Sequence, residues 1–446
     1  MGRRRRKRRL GRSKPLGGHP HCPVCPACSL PSRWQPANLT PPSVPVPSRS
    51  LLLHCQVFWP DNSAVSQMIS AVAEDAAQAG WRVTVVTSAR GYNLDETYPA
   101  TAEHGGASIH RVGGARFNRH SVAGRLANYL SFIIASGWKL LWLHSPDCLV
   151  VTSAPPFSLA LAWFTRVFRR VPFVFVAEDL YPEIAVASKI LRADSAIARL
   201  AGWLFGCWLH RAAAIIVLGE HMKARLLASH PRLDPARVVP IDNWHDGRRL
   251  FPLARAAGDR VCVQYSGNFG EGHDFATLVE ALQLVKEDAR LRFQFVGGGR
   301  RRSWLEAEVK HRGLTGCTFH DYVSEAELNQ SLNTADVCLV TVARGFEGLL
   351  VPSKLYGIMA VGKPVLYYGA PEGDVPALVR RHELGWVIEQ GDAAGLALAL
   401  QEAAGDPQLR ARLGANARRA FEAHYDRPLA TARYLRVFDG VVANGR

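Results

Sequence analysis

The chain has 446 residues, 48% hydrophobic and 21% charged, a balance that describes a folded body and argues against wholesale disorder. That length exceeds what one hydrophobic core organises and predicts two or three domains. The net charge of +16 is concentrated: the first 50 residues hold 11 Lys or Arg and no acidic residue, leaving the remainder at +5 and arguing against a nucleic-acid-binding body.

Residues 1–49 read as a disordered arm. Arg3-Arg4-Arg5-Arg6-Lys7-Arg8-Arg9 opens a Pro-, Ser- and Cys-rich stretch without a hydrophobic period. A tail for anionic lipid or nucleic acid is the other reading. No apolar run of signal-peptide length follows before Leu51. Cys22-x-x-Cys25-x-x-Cys28, beside His19 and His21, lacks the second pair that a zinc finger or ribbon needs. The nine cysteines are an odd number. Cys55, Cys148, Cys207, Cys262 and Cys338 fall in apolar or strand-like settings, the pattern of buried free thiols in a reducing compartment.

Leu51–Phe58 is the first expected strand, with Pro60-Asp61-Asn62-Ser63 as its loop. Residues 65–80 then place Met68, Ile69, Val72 and Ala76 on one helical face and stop at Gly80. Trp81–Thr87 is the next strand, so strand, helix and strand fill ~37 residues, the length of a βαβ unit with parallel pairing. Cys148–Thr152, Phe173–Val176 and Ile215–Val217 continue the alternation. Tyr129–Leu143, apolar around Lys139, and Leu200–Leu209, with Trp203, Phe205 and Trp208, suit a core helix or one lying in a membrane interface. Neither reaches the ~18 uninterrupted apolar residues of a membrane span. A drop in periodicity around Asn243-Trp244-His245-Asp246 marks 242–259 as a linker. A second cycle follows, with strands at Val261–Tyr265, Leu291–Val296, Cys317–Phe319 and Val337–Val342 and helices at 275–286 and near 304–313. Residues 409–442 form a last helical stretch containing Pro428.

The most informative segment is Glu347–Leu366. Pro352 suits a first helical position, Gly362 the residue just past the end, and Val365-Leu366-Tyr367-Tyr368 a buried strand. A loop opening a helix this way aims free amides and a positive dipole end at an anion, ideally a phosphate, and Lys354 adds a mobile cation. Ser266–Asp274 lies between strand and helix; its small residues let backbone approach a pyrophosphate, and a tight glycine turn explains the spacing equally well. Gly297-Gly298-Gly299 either wraps a nucleotide edge or simply turns strand into helix, and Ser324-x-x-Glu327 reads as a capping box. Glu178-Asp179-Leu180-Tyr181-Pro182-Glu183 puts three carboxylates at the C-terminal edge of a parallel sheet, where such folds bind ligands. Glu178 or Asp179 is the candidate proton acceptor, against an acidic helix start as the other reading. The folded body has no Asp-x-Asp and no His pair at ligand spacing, so neither metal nor cofactor is expected.

On these residues the chain resembles the family 4 retaining glycosyltransferases, whose fold is GT-B: α/β, two Rossmann-like domains with parallel sheets facing across a cleft. The resemblance covers roughly residues 50 to 440, and Pro352-Ser353-Lys354-x-Tyr356 is similar to enzymes of bacterial surface polysaccharide, including aminosugar transferases of O-antigen, capsule and colanic-acid pathways. It implies transfer of a sugar, expected to be an N-acetylated aminosugar, from a UDP-sugar to a lipid-linked or glycan acceptor at the cytoplasmic face of a membrane. By the same comparison 50–241 is the acceptor domain, 260–427 the donor domain, and 428–446 a helix crossing back to the first domain. The resemblance assigns donor contacts to Gly267, Asn268, His273, Gly298, Tyr322, Val323, Gly348, Leu349, Pro352 and Ser353, and acceptor-side roles to Asp61 and Asn62. Glu178, Asp179, Glu347 and Lys354 form the implied catalytic set, with Lys354 and helix dipoles in place of a divalent ion.

This chain departs from the family pattern at five places. Asn268 and Gly272-His273 stand where the family commonly has Arg and Lys, leaving Lys354 the clearest diphosphate cation and His273 a second candidate. The two signature glutamates align with Leu349 and Gly357, so Glu347, two residues earlier, is the carboxylate left to reach the sugar. Glu178 occupies a position where the family often has histidine. Two rivals stand beside the transferase: a GT-B nucleotide-sugar epimerase needing no acceptor, and a non-catalytic binding protein using the basic arm.

Overall fold

The computed structural model describes residues 49–61, 63–91, 97–117, 121–254 and 258–445; the basic arm with its cysteine triplet, and Asn62, lie outside the described residues. The first half runs β1 (Arg49–His54), α1 (Ala64–Gln78), β2 (Trp81–Ser88), β3 (Thr101–His104), β4 (Ala107–Val112), α2 (Val122–Trp142), β5 (Cys148–Thr152), α3 (Ser158–Arg169) and β6 (Phe173–Ala177). It continues through α4 (Glu183–Ala187), α5 (Ala196–Leu209), β7 (Ala214–Val217), α6 (Glu220–Ser229) and β8 (Val238–Pro240). The second half runs β9 (Val261–Ser266), α7 (Ala276–Leu284), β10 (Leu291–Val296), α8 (Arg302–His311), β11 (Cys317–His320), α9 (Glu325–Asn333), β12 (Val337–Val342) and α10 (Lys354–Ala360). Then come β13 (Val365–Gly369), α11 (Asp374–Arg381), β14 (Gly385–Glu389), α12 (Ala393–Gly405), α13 (Pro407–Ala420), a π-helical turn at Phe421–Tyr425 and α14 (Arg427–Gly445).

Two sheets result, in the orders β3-β4-β2-β1-β5-β6-β7-β8 and β11-β10-β9-β12-β13-β14. Every neighbouring pair is parallel except the edge pair β3–β4. Parallel strands are covered on both faces, which is why β5, β6 and β12 are buried along their whole length and read as unbroken apolar runs. The β3–β4 pair escapes a periodicity reading because Glu103, His104, His110 and Arg111 interrupt its alternation. Strand order reverses between β1 and β5 in the first sheet and between β9 and β12 in the second. Such switch points leave a crevice at the strands' C-terminal ends, where ligands bind in open α/β sheets.

One face of the first sheet packs Val85 and Val174 against Val72 of α1 and Phe438 of α14. The other face joins Phe175 and Leu209 to Leu349, Leu355 and Tyr356 in a core continuous across both sheets, which lie in one compact unit, Pro47–Arg446. Arg427 ties the C-terminal helix to α1, donating to Asp75 Oδ1 at 2.6 Å and Glu74 Oε2 at 2.8 Å. Pro428 sits in the first turn of α14, where its missing N–H leaves no bond unmade. Residues 409–442 are accordingly two helices around the π turn. Cys55, Cys148, Cys262 and Cys338 are buried free thiols, whereas Cys207 is exposed on the outer face of α5.

Candidate active site

The α10 helix begins at Lys354 with Ser353 as its N-cap, two residues later than Pro352 predicts. Leu350 and Val351 are held extended by the first half: Leu350 bridges Asp179, and the Val351 carbonyl accepts from Asn243 Nδ2 at 3.1 Å. The chain turns only after that engagement ends. Gly362 takes the positive φ of 65° expected just past the helix. At seven residues α10 has a short dipole, so the cation that matters is the side chain.

Lys354 leans back across the end of β9. Its Nζ is buried, has no hydrogen-bond partner, and lies 3.7 Å from the centroid of the Tyr265 ring. A Cβ at Gly267 would come within 3.2 Å of that nitrogen, so the glycine keeps the approach open. Burial lowers the ammonium from 10.5 to about 7. His273 lies close enough to feel the Lys354 charge, yet its Nδ1 is 2.7 Å from the Thr341 carbonyl. Burial, then Lys354, lowers its imidazole to about 3, so His273 stays neutral and is not a second cation. The helix behind it is also spoken for: Asp274 Oδ1 accepts the amides of Ala276 and Thr277, so the start of α7 offers those two groups to no ligand.

The loops after β9 and β10 interlock. The Gly298 carbonyl accepts from Phe269 N at 2.8 Å and from Tyr322 Oη at 3.1 Å. Gly297 has φ of 125°, and a Cβ there would overlap the Gly267 carbonyl. Asn268 packs beside Gly299, and Val323 follows Tyr322 on the same exposed loop. The structure thus gathers Gly267, Asn268, Gly298 and Tyr322. Ser324 and Glu327 form the capping box of α9.

The acidic turn after β6 meets the second half through Asp179, which bridges Leu350, whereas the Glu178 carboxyl lies close enough to Cys55 and Tyr434 of the first half's own core to act on them. Ser153 Oγ accepts from Glu178 N and Asp179 N, each at 3.1 Å, pinning the turn after β6. Burial, with the Asp179 charge second, raises the Glu178 carboxyl to about 8; burial raises Asp179 to about 6. At pH 7 Glu178 is therefore a neutral acid with a buried, unbonded Oε2, and Asp179 carries the charge. Asp179 bridges Leu350, and the Leu349 carbonyl accepts from Leu180 N at 3.3 Å. Leu349 is fully buried and its own N–H goes to Phe346, so both its backbone groups are engaged within the protein. Gly348, at φ of 64°, lies against the first half: a Cβ there would come within 2.9 Å of the His221 carbonyl. Glu347 Oε2 accepts from Gly345 N at 2.7 Å and so braces its own loop.

Asp61 and Ser353 line a second space, a cavity of about 310 Å³ that also takes in Trp59, His104, His245 and Arg427. Asp61 Oδ1 accepts from Ser63 N at 2.8 Å, and Ser63 caps α1. Pro352 is buried behind Ser353. Lys354 and Ser353 therefore look into different surroundings, the first against Gly267 and Tyr265 and the second into the cavity with Asp61.

Three residues were missed. Tyr265 supplies the aromatic face under Lys354, and a tyrosine just before Ser266-Gly267 at a strand end was the available signal. Ser153 positions the acidic turn, and its place at the C-terminal end of β5 was the comparable clue. Asp374 accepts from His221 N at 2.9 Å and Met222 N at 3.3 Å, capping α6 from the other half. Nothing local announces that pairing.

Two family models match the chain: "Glycosyl transferase 4-like domain" over residues 63–244 and "Glycosyl transferases group 1" over 252–420. The chain is 31% identical over 243 residues to a probable glycosyltransferase, WbjE, of Pseudomonas aeruginosa, covering 52% of this chain but only 59% of that protein. It is 25% identical over 331 residues to the putative colanic acid biosynthesis glycosyl transferase WcaI of Escherichia coli strain K12, covering 68% and 79% of the two chains. Among solved structures, Anabaena HepE in complex with UDP-glucose superposes with a TM-score of 0.65 at 14% identity, covering 88% of this chain and all of that one. At that identity the likeness speaks for the fold.

Proposed function

Because the chain belongs to the family 4 glycosyltransferases of GT-B fold, we propose that it moves a sugar from a nucleotide diphosphate to a lipid-linked or glycan acceptor in surface-polysaccharide synthesis. The observation that carries this reading is the buried Lys354 ammonium, unpaired and set over Gly267. An unpaired cation beside bare backbone favours an incoming polyanion, because a diphosphate supplies both the missing charge and the missing hydrogen bonds.

In this reading the donor lies against the β9, β10 and β12 loops, and the acceptor approaches from the acidic turn after β6. Lys354 gains a proton as the diphosphate arrives and then stabilises it as leaving group. The bond from the anomeric carbon to the diphosphate oxygen breaks while one to the acceptor oxygen forms on the same face, giving retention. The hydroxyl proton passes to the departing diphosphate or to Asp179, whose ionised form suits a base; neutral Glu178 donates a hydrogen bond. The HepE complex supports a uridine nucleotide, and the Pro-Ser-Lys-x-Tyr segment supports an N-acetylated aminosugar. A lipid-linked acceptor would place the enzyme on the cytoplasmic face of a membrane.

The test incubates the protein with UDP-hexoses and UDP-N-acetylhexosamines, with and without a lipid-linked acceptor. Products are read by mass spectrometry and anomeric configuration by NMR. Transfer with retention is expected for at least one donor. An epimerised nucleotide sugar formed without acceptor, or no thermal stabilisation by any nucleotide, would overturn the reading.

A further inference from the structure

We propose that the outer face of α2, α3 and α5 docks onto an anionic lipid bilayer, lying in its interface without crossing it. The inference does not depend on the enzymatic reading. An amphipathic helix on a folded body turns polar residues outward. The α2 helix does not: Phe132 and Leu140 are buried inward, while Leu126, Leu130, Ile134, Trp138 and Trp142 repeat every four residues on the open side. Ile134, Trp138 and Trp142 are 72%, 65% and 73% exposed. The α3 helix, which packs against both α2 and α5, adds exposed Phe164 and Phe168; α5 adds Ile197, Leu200 and Trp203. Arg169 locks α3 to the end of α2 by donating to the Leu140 and Leu143 carbonyls. A contiguous apolar face of this kind marks an interaction site.

Charge selects the occupant. The three helices contain no Asp or Glu and five basic residues, Arg125, Lys139, Arg166, Arg169 and Arg199. A second copy of the chain meeting this face about a two-fold axis would set like charges against like. An anionic headgroup layer matches the basic residues, its acyl boundary matches the leucines and phenylalanines, and tryptophan is the side chain that favours the level between. Among the described residues no helix is long and apolar enough to cross a membrane, which fits a face that lies flat.

The test is co-sedimentation of the full chain with phosphatidylcholine vesicles prepared with and without phosphatidylglycerol. Wild type is expected to pellet with the phosphatidylglycerol vesicles and to be partly released by salt. Ile134→Ser/Trp138→Ser/Trp203→Ser and, separately, Lys139→Glu/Arg166→Glu/Arg199→Glu should each raise the half-binding lipid concentration at least about ten-fold with unchanged melting temperature. Wild-type-like binding by both variants would assign any lipid affinity to the basic arm and overturn the proposal. So would no binding by wild type, or a lipid-free dimer in sedimentation velocity that the serine variant dissolves.

Discussion

Replacing Lys354 by methionine separates what the buried ammonium does for the fold from what it does for a ligand. Methionine keeps the apolar stem and removes the charge. In the ligand-free protein the ammonium titrates at about 7 instead of 10.5 because Nζ is buried. The drop of roughly 3.5 pH units corresponds to an upper bound of about 5 kcal/mol against the charged form, at about 1.4 kcal/mol per unit. The stem is only partly covered and lets the ammonium relax toward water, so a gain of about 1–3 kcal/mol for Lys354→Met is the working expectation. The sign follows from proton counts. Between pH 7 and 10.5 the unfolded chain holds a proton that the native state lacks, so wild-type stability rises with pH across that window. The advantage of Lys354→Met is therefore largest below pH 7 and fades toward pH 10.5. The ligand effect runs the other way: UDP at 100 times its Kd stabilises wild type by about 2.7 kcal/mol, and at the same concentration should stabilise the variant far less. Urea unfolding at pH 6 and pH 9, with and without UDP, reads both. A variant less stable than wild type at both pH values, or one stabilised equally by UDP, refutes the reasoning.

The remaining predictions concern the opposite carboxyl, the glycine interlock and the tie to the C-terminal helix. Glu178 is raised from 4.5 to about 8, so the native state holds the extra proton between those values and loses stability as pH rises through them. Glu178→Gln should remove that slope, matching wild type near pH 4.5 and exceeding it by about 2–4 kcal/mol at pH 8.5; parallel curves of melting temperature against pH would refute this. Gly297→Ala puts a methyl group on the Gly267 carbonyl at a φ of 125°, and should destabilise by about 1–3 kcal/mol and weaken UDP binding, read by calorimetry. Arg427→Met strands Asp75 and Glu74 without their buried cation and should cost about 3–5 kcal/mol in chemical unfolding. A loss under 1 kcal/mol would show those carboxylates to be solvated.

How much of this was legible depends on how local each cause is. The strands Cys148–Thr152 and Val337–Val342 stand where their apolar runs place them, since a strand covered on both faces declares itself residue by residue. The β3–β4 edge did not, because Glu103, His104, His110 and the buried Arg111 break its apolar alternation. Lys354 was legible as a cation and Ser266–Asp274 as a glycine loop, and the structure sets the Lys354 ammonium against Gly267 and the Tyr265 ring. The neutrality of His273 was not legible, because it follows from burial and from the Lys354 charge 81 residues away. Nor was the exposure of α2 and α5, whose composition suits a core helix as well as a membrane face until an inner and an outer side are known.

The loop from Gly345 to Leu350 shows why motif alignment and geometry part company here. Alignment puts Leu349 where a signature glutamate belongs, and Glu347 two residues earlier. The structure uses Leu349 as core, closed on both sides by Phe346 and Leu180, because the first half supplies an isolated bridge at Asp179 and the Leu180 amide. That pairing requires the chain to pass within contact of His221, and Gly348 is there because a side chain would strike its carbonyl. With Gly348 and Leu349 committed to the other half, Glu347 is the only carboxylate from Gly345 to Leu350, and it bonds its own loop. A ligand displacing the Gly345 amide would free it. The loop's path, fixed by contacts more than 100 residues distant, therefore decides which side chain is available, whichever residue occupies the aligned position.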